Sequence, residues 1–386
     1  MRILTVLTYY RPHTSGLTIY AERLARALVA RGHQVTVMTS QFDPATPLEE
    51  VVDGVRIVRV PVAFRVSKGV IMPSFGLMAT RLVKEHDAIH LHLPQFDAAG
   101  VALRGKIFKK PTVTTYHCDI DMPAGLLSRA ANLAVHLMNR IAALFTDQFV
   151  AYTEDFATHS PYLSANLKKV TVIQPPVVMP ESDLKTIDEF KQQHCSGGQY
   201  PVIGMATRFA SEKGVEILLE ALPAVKQKYP EFKVLYAGTY QNVIGEEDYF
   251  QRLFPVIEQY QAENQWEFLG NLTSQQMTDF YPNLDVLVVP SLNSTESFGL
   301  VQIEAMISGT PCIASALPGV RQPVLRHGMG KIVPIGDADA LAKALVEIAE
   351  HKSEYIRPAK PIKEMYDPGL VAEKYEELFS KLLNQH

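Results

Sequence analysis

Short apolar runs and amphipathic stretches alternate along this chain from end to end, and a proline-rich break divides the alternation in two. In the first half, strands are expected at 2–8, 34–39, 55–60, 88–91, 112–116 and 148–151, and helices at 19–30, 71–85 and 126–145. The stretch Gln174-Pro175-Pro176-Val177-Val178-Met179-Pro180 then puts three prolines into seven residues. Helix interior and central strand are both excluded there, so it reads as a linker. Beyond it, strands are expected at 202–206, 233–237, 266–269, 286–289 and 311–314. Helices are expected at 215–229, 249–260, 274–281, 298–308, 338–349 and 370–384. Such alternation implies parallel sheets with helices on both faces. The expected fold class is α/β: two doubly wound, Rossmann-like domains facing a central cleft. The domains would be residues 1–176 and 177–366, with a closing helix at 367–386 packing back towards the first.

The 386 residues are 47% apolar and 20% charged, as in a globular protein. No stretch approaches the roughly 20 apolar residues that span a bilayer. The start, Met1-Arg2-Ile3-Leu4-Thr5-Val6-Leu7, is too short an apolar run for a secretory signal and reads as a first strand. Cys118, Cys195 and Cys312 have neither metal spacing nor a disulfide pattern, which fits a reducing cytoplasm. The net charge of −4 is uneven: residues 1–200 carry 21 Lys+Arg against 17 Asp+Glu, and the remainder 16 against 24. Nucleic-acid binding wants a far more basic face.

Two glutamates in Ser294-Thr295-Glu296-Ser297-Phe298-Gly299-Leu300-Val301-Gln302-Ile303-Glu304 carry the most chemistry. Glu296 falls in a loop over the carboxyl end of the strand at 286–289, where open α/β sheets bind ligands. Glu304 falls inside the helix at 298–308 among apolar neighbours, where a carboxylate needs a partner such as ribose hydroxyls. A second site is Arg208 with Lys213, between a strand and a helix. An anionic ligand would suit a lysine at a helix start, and arginine offers a planar fork for phosphate oxygens. Near the N-terminus, Ser15-Gly16-Leu17 has one glycine only, so the dinucleotide fingerprint with three spaced glycines is absent. Gly16 would still let backbone approach a phosphate or sugar. His117 follows the strand at 112–116, where it is either a structural histidine or a donor to a sugar hydroxyl. Asp119-Ile120-Asp121 and Asp337-Ala338-Asp339 are weak metal signals, and no metal or other cofactor is expected.

Together these motifs resemble the retaining glycosyltransferases of GT-B fold called group 1, over nearly the whole chain. The most specific piece is Pro290-Ser291 with Glu296-Ser297-Phe298-Gly299-Leu300-Val301-Gln302-Ile303-Glu304-Ala305-Met306 and Gly309-Thr310-Pro311, the family's paired-glutamate motif. Ala206-Thr207-Arg208-Phe209 with Glu212-Lys213-Gly214 is similar to its diphosphate site. Ala316-Leu317-Pro318-Gly319-Val320 and Gly328-Met329-Gly330 are similar to its later loops. The resemblance implies that Arg208 and Lys213 neutralise the donor diphosphate and that Glu304 holds the ribose. Glu296 would face the transferred sugar, and backbone amides of Phe298, Gly299 and Leu300 would meet the phosphate or sugar. His117 would touch the sugar, Gly16 would line the cleft, and the base would sit near Gly238 and Leu272. The family retains anomeric configuration, and a front-face displacement needs no protein nucleophile. The departures are the single glycine at Gly16, Gln174-Pro175-Pro176 where Pro-Asn-Gly is usual, and Thr239-Tyr240 after Gly238.

The implied reaction moves a hexose from a UDP- or GDP-sugar to a hydroxyl acceptor, a lipid-linked or glycan intermediate of cell-envelope or polysaccharide synthesis. A nucleotide-sugar epimerase or hydrolase of the same fold is the alternative, and a non-catalytic nucleotide-sugar-binding protein a third. The stretch Arg104-Gly105-Lys106-Ile107-Phe108-Lys109-Lys110 interleaves cations with apolar residues. It is a candidate contact with the inner face of the cell membrane, or else a solvated loop. The helix at 126–145 is expected to be core.

Overall fold

The computed structural model describes residues 1–66, 69–120 and 126–385. The chain forms two compact units, one of Met1–Val177 with Met365–His386 and one of Val178–Glu364. The division thus falls inside the proline-rich stretch, and the chain re-enters the first unit near its end.

The first unit holds an eight-stranded sheet. Its strands are β1 (Arg2–Val6), β2 (Gln34–Gln41), β3 (Glu49–Val52), β4 (Val55–Pro61), β7 (Ala88–Leu93), β8 (Thr112–Tyr116), β9 (Gln148–Ala151) and β10 (Val170–Val172). The short strands β5 (Phe64–Val66) and β6 (Gly69–Ile71) pair separately. The order is β10-β9-β8-β7-β1-β2-β4-β3, and every neighbouring pair is parallel except β3 with β4. Strands such as β7 and β8 are buried at every residue, as expected of a parallel sheet covered on both faces. Helix α1 (Gly16–Ala30) joins β1 to β2. Helix α2 (Phe75–Glu85) precedes β7, α3 (Ala98–Ile107) joins β7 to β8, and α4 (Leu126–Phe145) joins β8 to β9. The chain runs one way along the sheet from β1 to β2 and the other way from β7 to β9. Right-handed crossovers therefore put α1 and α3–α4 on opposite faces. The C-terminal helix Pro368–Leu383 packs against α1, and α2 packs beside α3.

Several elements differ from the expectation, each for a local reason. Strand β3 was not anticipated, although Asp53-Gly54 between Val52 and Val55 marks a two-residue hairpin; both have positive φ, 50° and 77°. The helix expected from 71 begins at Phe75 because Pro73 biases its predecessor to extended backbone, and Ile71 closes the β5–β6 pair. Helix α3 escaped periodicity because Ala98, Ala99, Gly100, Ala102 and Gly105 give it no strong apolar stripe.

The second unit holds a six-stranded, all-parallel sheet. Its strands are β11 (Val202–Ala206), β12 (Lys233–Ala237), β13 (Trp266–Gly270), β14 (Val286–Val289), β15 (Cys312–Ser315) and β16 (Gly330–Val333). The order is β13-β12-β11-β14-β15-β16. The chain builds outward from β11 to β13, returns to β14 on the other side of β11, and builds outward again. The order reverses between β11 and β14, so their carboxyl ends flank the crevice where doubly wound sheets take ligands. The core below includes Ile203, Met205, Leu218, Leu222, Val286 and Ile313.

Candidate active site

Loops from β11 and β14 meet at that reversal. After β11, Arg208 lies in a turn and Lys213 ends a short 3-10 turn, Ser211–Lys213. Gly214 follows with φ 70°, where a Cβ would lie 2.2 Å from the Pro290 carbonyl oxygen. Only glycine lets this loop lie so close to the end of β14. After β14 the chain runs through Glu296 to Gly299, which caps the helix Leu300–Ile307. That helix starts two residues later than expected, so Glu304 stands one turn inside it.

Lys213 and Glu296 form the centre of the site. Lys213 Nζ donates to Glu296 Oε2 at 2.9 Å, and the Gly299 N–H donates to Oε1 at 2.9 Å. The Phe298 N–H also favours the charged carboxylate. Burial pushes the Glu296 carboxyl upward, but the Lys213 charge, its hydrogen bond and the two backbone donors together outweigh it. The pKa is held below the ordinary value. The Glu296 carboxylate therefore occupies the helix-start amides and the lysine expected to meet phosphate. Arg208 is more open, with its side chain 44% exposed, and its guanidinium pairs with Glu212.

Glu304 is half-buried rather than enclosed. Tyr281 Oη donates to its Oε2 at 2.9 Å. Tyr281 was not anticipated, and neither was Gln302. This fully buried amide donates through Nε2 to the carbonyls of Phe298 and Val320, both at 2.9 Å. A glutamine amid Leu300-Val301-Gln302-Ile303 was the signal available for it. It ties the Glu296–Gly299 loop to the loop after β15.

The expected base-side residues lie at the ends of β12 and β13. The Gly238 N–H donates to the Gly270 carbonyl at 2.7 Å. At Gly238 φ is 132°, and a Cβ would lie 2.0 Å from the Thr207 carbonyl oxygen, one residue before Arg208. Leu272 is half-buried just before the helix Ser274–Phe280. Gly238→Ala is expected to displace the Arg208 turn and destabilise the second unit by about 1–3 kcal/mol, the range of backbone strain at such positions. Urea unfolding followed by Trp266 fluorescence checks this, and an unchanged midpoint would contradict it.

His117 and Gly16 belong to the first unit. Gly16 opens α1 and is exposed, with nothing near where a Cβ would sit; Ser15 caps the helix. His117 is buried and both ring nitrogens are engaged. His92 Nδ1 lies 2.8 Å from its Nε2, and the Tyr152 hydroxyl pairs with its Nδ1. Burial, with repulsion from His90, lowers its pKa to about 3, so the ring is neutral. Donation to a sugar would require one of these bonds to be exchanged. His90, pushed to about 3 by burial, bonds Thr115 at 2.8 Å. Thr115 meets the Tyr375 hydroxyl at 2.6 Å, and Tyr375 meets Tyr20 at 2.6 Å.

The first aspartate of each acidic triplet is engaged structurally. Asp119 Oδ1 accepts from Tyr116 at 2.9 Å and from Ser160 at 2.7 Å, and Asp121 lies outside the described residues. Asp337 caps the helix Ala338–His351 by accepting from the Ala340 N–H at 2.8 Å. Among the described residues, no group of three or more His, Cys, Asp or Glu is placed to hold a metal ion.

Residues 186–365 match the family "Glycosyl transferases group 1", and residues 14–179 match "Glycosyltransferase Family 4". The chain is 24% identical over 383 residues to a phosphatidyl-myo-inositol mannosyltransferase of Mycolicibacterium smegmatis, covering 96% of this chain and 92% of that protein. It is 25% identical over 389 residues to a glycogen synthase of Mycobacterium tuberculosis, covering 93% and 89%. Among solved structures, Anabaena HepE in complex with UDP-glucose superposes with a TM-score of 0.78 at 19% identity, over 99% of this chain and 100% of that one. The chain is a glycosyltransferase of GT-B fold, with a family 4 match over its first unit and a group 1 match over its second.

Proposed function

We propose that the chain transfers a hexose from a UDP- or GDP-sugar to a hydroxyl acceptor with retention of anomeric configuration. The acceptor we propose is a lipid-linked or glycan intermediate of envelope or polysaccharide synthesis. The observation that carries this reading is the Lys213–Glu296 pair, set over a helix start at the point where the sheet order reverses. In the proposal the donor diphosphate takes the place of the Glu296 carboxylate on Lys213 and on the Gly299 N–H. Arg208 leaves Glu212 for phosphate oxygens, and Glu304, braced by Tyr281, binds the ribose. Glu296, freed from Lys213, meets hydroxyls of the transferred sugar. The anomeric C–O bond to phosphate breaks, and the acceptor oxygen bonds the same face of that carbon. The acceptor's proton passes to the departing phosphate oxygen. Orientation and leaving-group charge stabilisation are then the protein's contribution, with Arg208 and Lys213 as the neutralising charges.

The names of the relatives support this reading: a phosphatidylinositol mannosyltransferase, a glycogen synthase, and a neighbour bound to UDP-glucose. Glu296→Gln keeps the shape but loses the charge. It is expected to lower kcat by about a hundredfold or more, as when one preorganised group is removed from a transition state. Product anomers are read by NMR. Unchanged turnover, or an inverted product from the wild type, would defeat the assignment.

A further inference from the structure

The loop that carries Arg208 and Lys213 is held from the β12 side as well as from β14. The Phe209 N–H donates to the Thr239 carbonyl at 2.7 Å, and the Ser211 N–H donates to Glu246 Oε2 at 2.9 Å. From the β14 side, the Leu292 N–H donates to the Glu212 carbonyl at 2.9 Å. Among these struts only Glu246 contributes a side chain. Glu246 is 5% exposed and stands at the N-cap of the helix Glu247–Ala262. An N-cap side chain ordinarily turns back to the first N–H groups of its own helix. The Glu246 side chain makes no such bond. It reaches instead to a backbone N–H of the neighbouring loop, and a buried carboxylate is stable only with such a partner.

Aromatic packing stiffens this strut at both ends. Phe209 is fully buried between Arg208 and Ser211, and its ring lies 5.4 Å from Tyr249 and 5.2 Å from Phe250, in the first turn of the same helix. Tyr240, part of the departure from the family pattern after Gly238, stacks on Phe268 at 4.0 Å with 8° between the planes. That stack fixes the start of segment 239–246, and the helix fixes its end. The segment thus presents one carbonyl and one carboxylate as a rigid backing for the Arg208 turn. The carboxylate acts at Ser211, which lies between the two cations and opens the 3-10 turn that ends at Lys213. A change of backbone at Ser211 would alter the spacing of the two charges.

We propose that Glu246 is a positioning residue for the donor diphosphate. Through the Ser211 N–H it fixes the turn between Arg208 and Lys213, and so holds both cations at the spacing that one diphosphate needs. Glu246 itself touches no phosphate. The proposal rests on the reading of this loop as the diphosphate site and adds what keeps that site in shape. Charged groups bind and orient a ligand well only when the backbone that carries them is held in place.

The test is calorimetric titration of the full chain with UDP, GDP, uridine and guanosine. Glu246→Ala is expected to weaken binding of the nucleoside diphosphate that the wild type takes by about tenfold, the low end of what a lost charged hydrogen bond costs. Binding of the corresponding nucleoside should not change, because it has no phosphate for the two cations to meet. Glu246→Gln keeps an acceptor oxygen in reach of the Ser211 N–H and is expected to retain most of the affinity. Glu246→Asp is one methylene short and is expected to behave like Glu246→Ala. A general loss of packing would lower both affinities together, so the readout is the ratio of diphosphate to nucleoside affinity. An unchanged ratio in Glu246→Ala, or a Glu246→Gln variant as weak as Glu246→Ala, would overturn the proposal and leave the donor reading standing. A wild type that binds neither diphosphate would remove the donor reading, and the proposal with it.

Discussion

Lys213→Ala is expected to weaken nucleoside-diphosphate binding more than any other single change in the second unit. Losing a charged hydrogen bond costs about 1.5–3 kcal/mol, or roughly ten- to a hundredfold in affinity. Arg208→Ala should fall in that range. Its side chain is 44% exposed, so water takes part of its role. Lys213 should exceed it for two reasons. Its side chain is only 12% exposed, where the effective dielectric is lower and a charge acts more strongly. Its removal also leaves the Glu296 carboxylate uncompensated at the place proposed for phosphate, so repulsion adds to the lost attraction. The Glu296 pKa, held down by Lys213, should rise in this variant. Lys228→Ala, which breaks a surface pair with Glu350, is the control and should leave affinity unchanged. Calorimetric titration reads all three.

The first unit is expected to be sensitive to acid. His90, His92 and His117 are buried together in its interior. Burial lowers all three, with repulsion from neighbouring histidines adding to it at His92 and His117, and it brings His90 and His117 to about 3. An unfolded histidine titrates near 6.5. The folded forms resist protonation, so the stability they confer is complete above that pH and is lost as pH falls from about 6.5 towards 3. Each contributes a loss of about 1.4 kcal/mol per pH unit within that window. Three together reach several kcal/mol near pH 5, comparable with the usual 5–15 kcal/mol of a domain. Calorimetric scans at pH 7 and pH 5 should show one transition moving sharply down. His92→Asn should lessen that shift. Equal midpoints at the two pH values would contradict the account.

The site was legible where chemistry and chain direction coincide in a short segment. Arg208 and Lys213 stand just after an apolar run, and Glu296 follows another, so their placement at strand ends could be read from order alone. What could not be read was how these residues pair with one another. The pairing of Lys213 with Glu296 joins residues far apart in sequence, and it depends on β14 lying beside β11, which no local pattern specifies. The engagement of Arg208 by Glu212 depends on the fold of the loop after β11, where the two residues are not on a common helix. The burial of His117 between His92 and Tyr152 needed three strands side by side. In the fold, the missed elements lacked the signals used to find others. Helix α3 is built from small residues, and β3 is a polar edge strand whose one clear mark was the Asp53-Gly54 turn. Helix α4 departs from a core helix on one side, where Leu133, Leu137 and Leu144 are exposed, because a twenty-residue helix without acids serves equally as core and as an outward ridge.

In the proposed reaction the reversal between β11 and β14 binds the diphosphate of a nucleotide sugar. Its most direct test is a thermal-shift titration of the wild type and Lys213→Ala with UDP, GDP, ADP and TDP. A ligand at a hundred times its dissociation constant stabilises by about 2.7 kcal/mol, enough to move a midpoint by several degrees. A clear upward shift of one transition is expected with UDP or GDP in the wild type, and little or none in the variant at the same concentration. No shift with any nucleoside diphosphate at millimolar concentration, or an undiminished shift in Lys213→Ala, would contradict it.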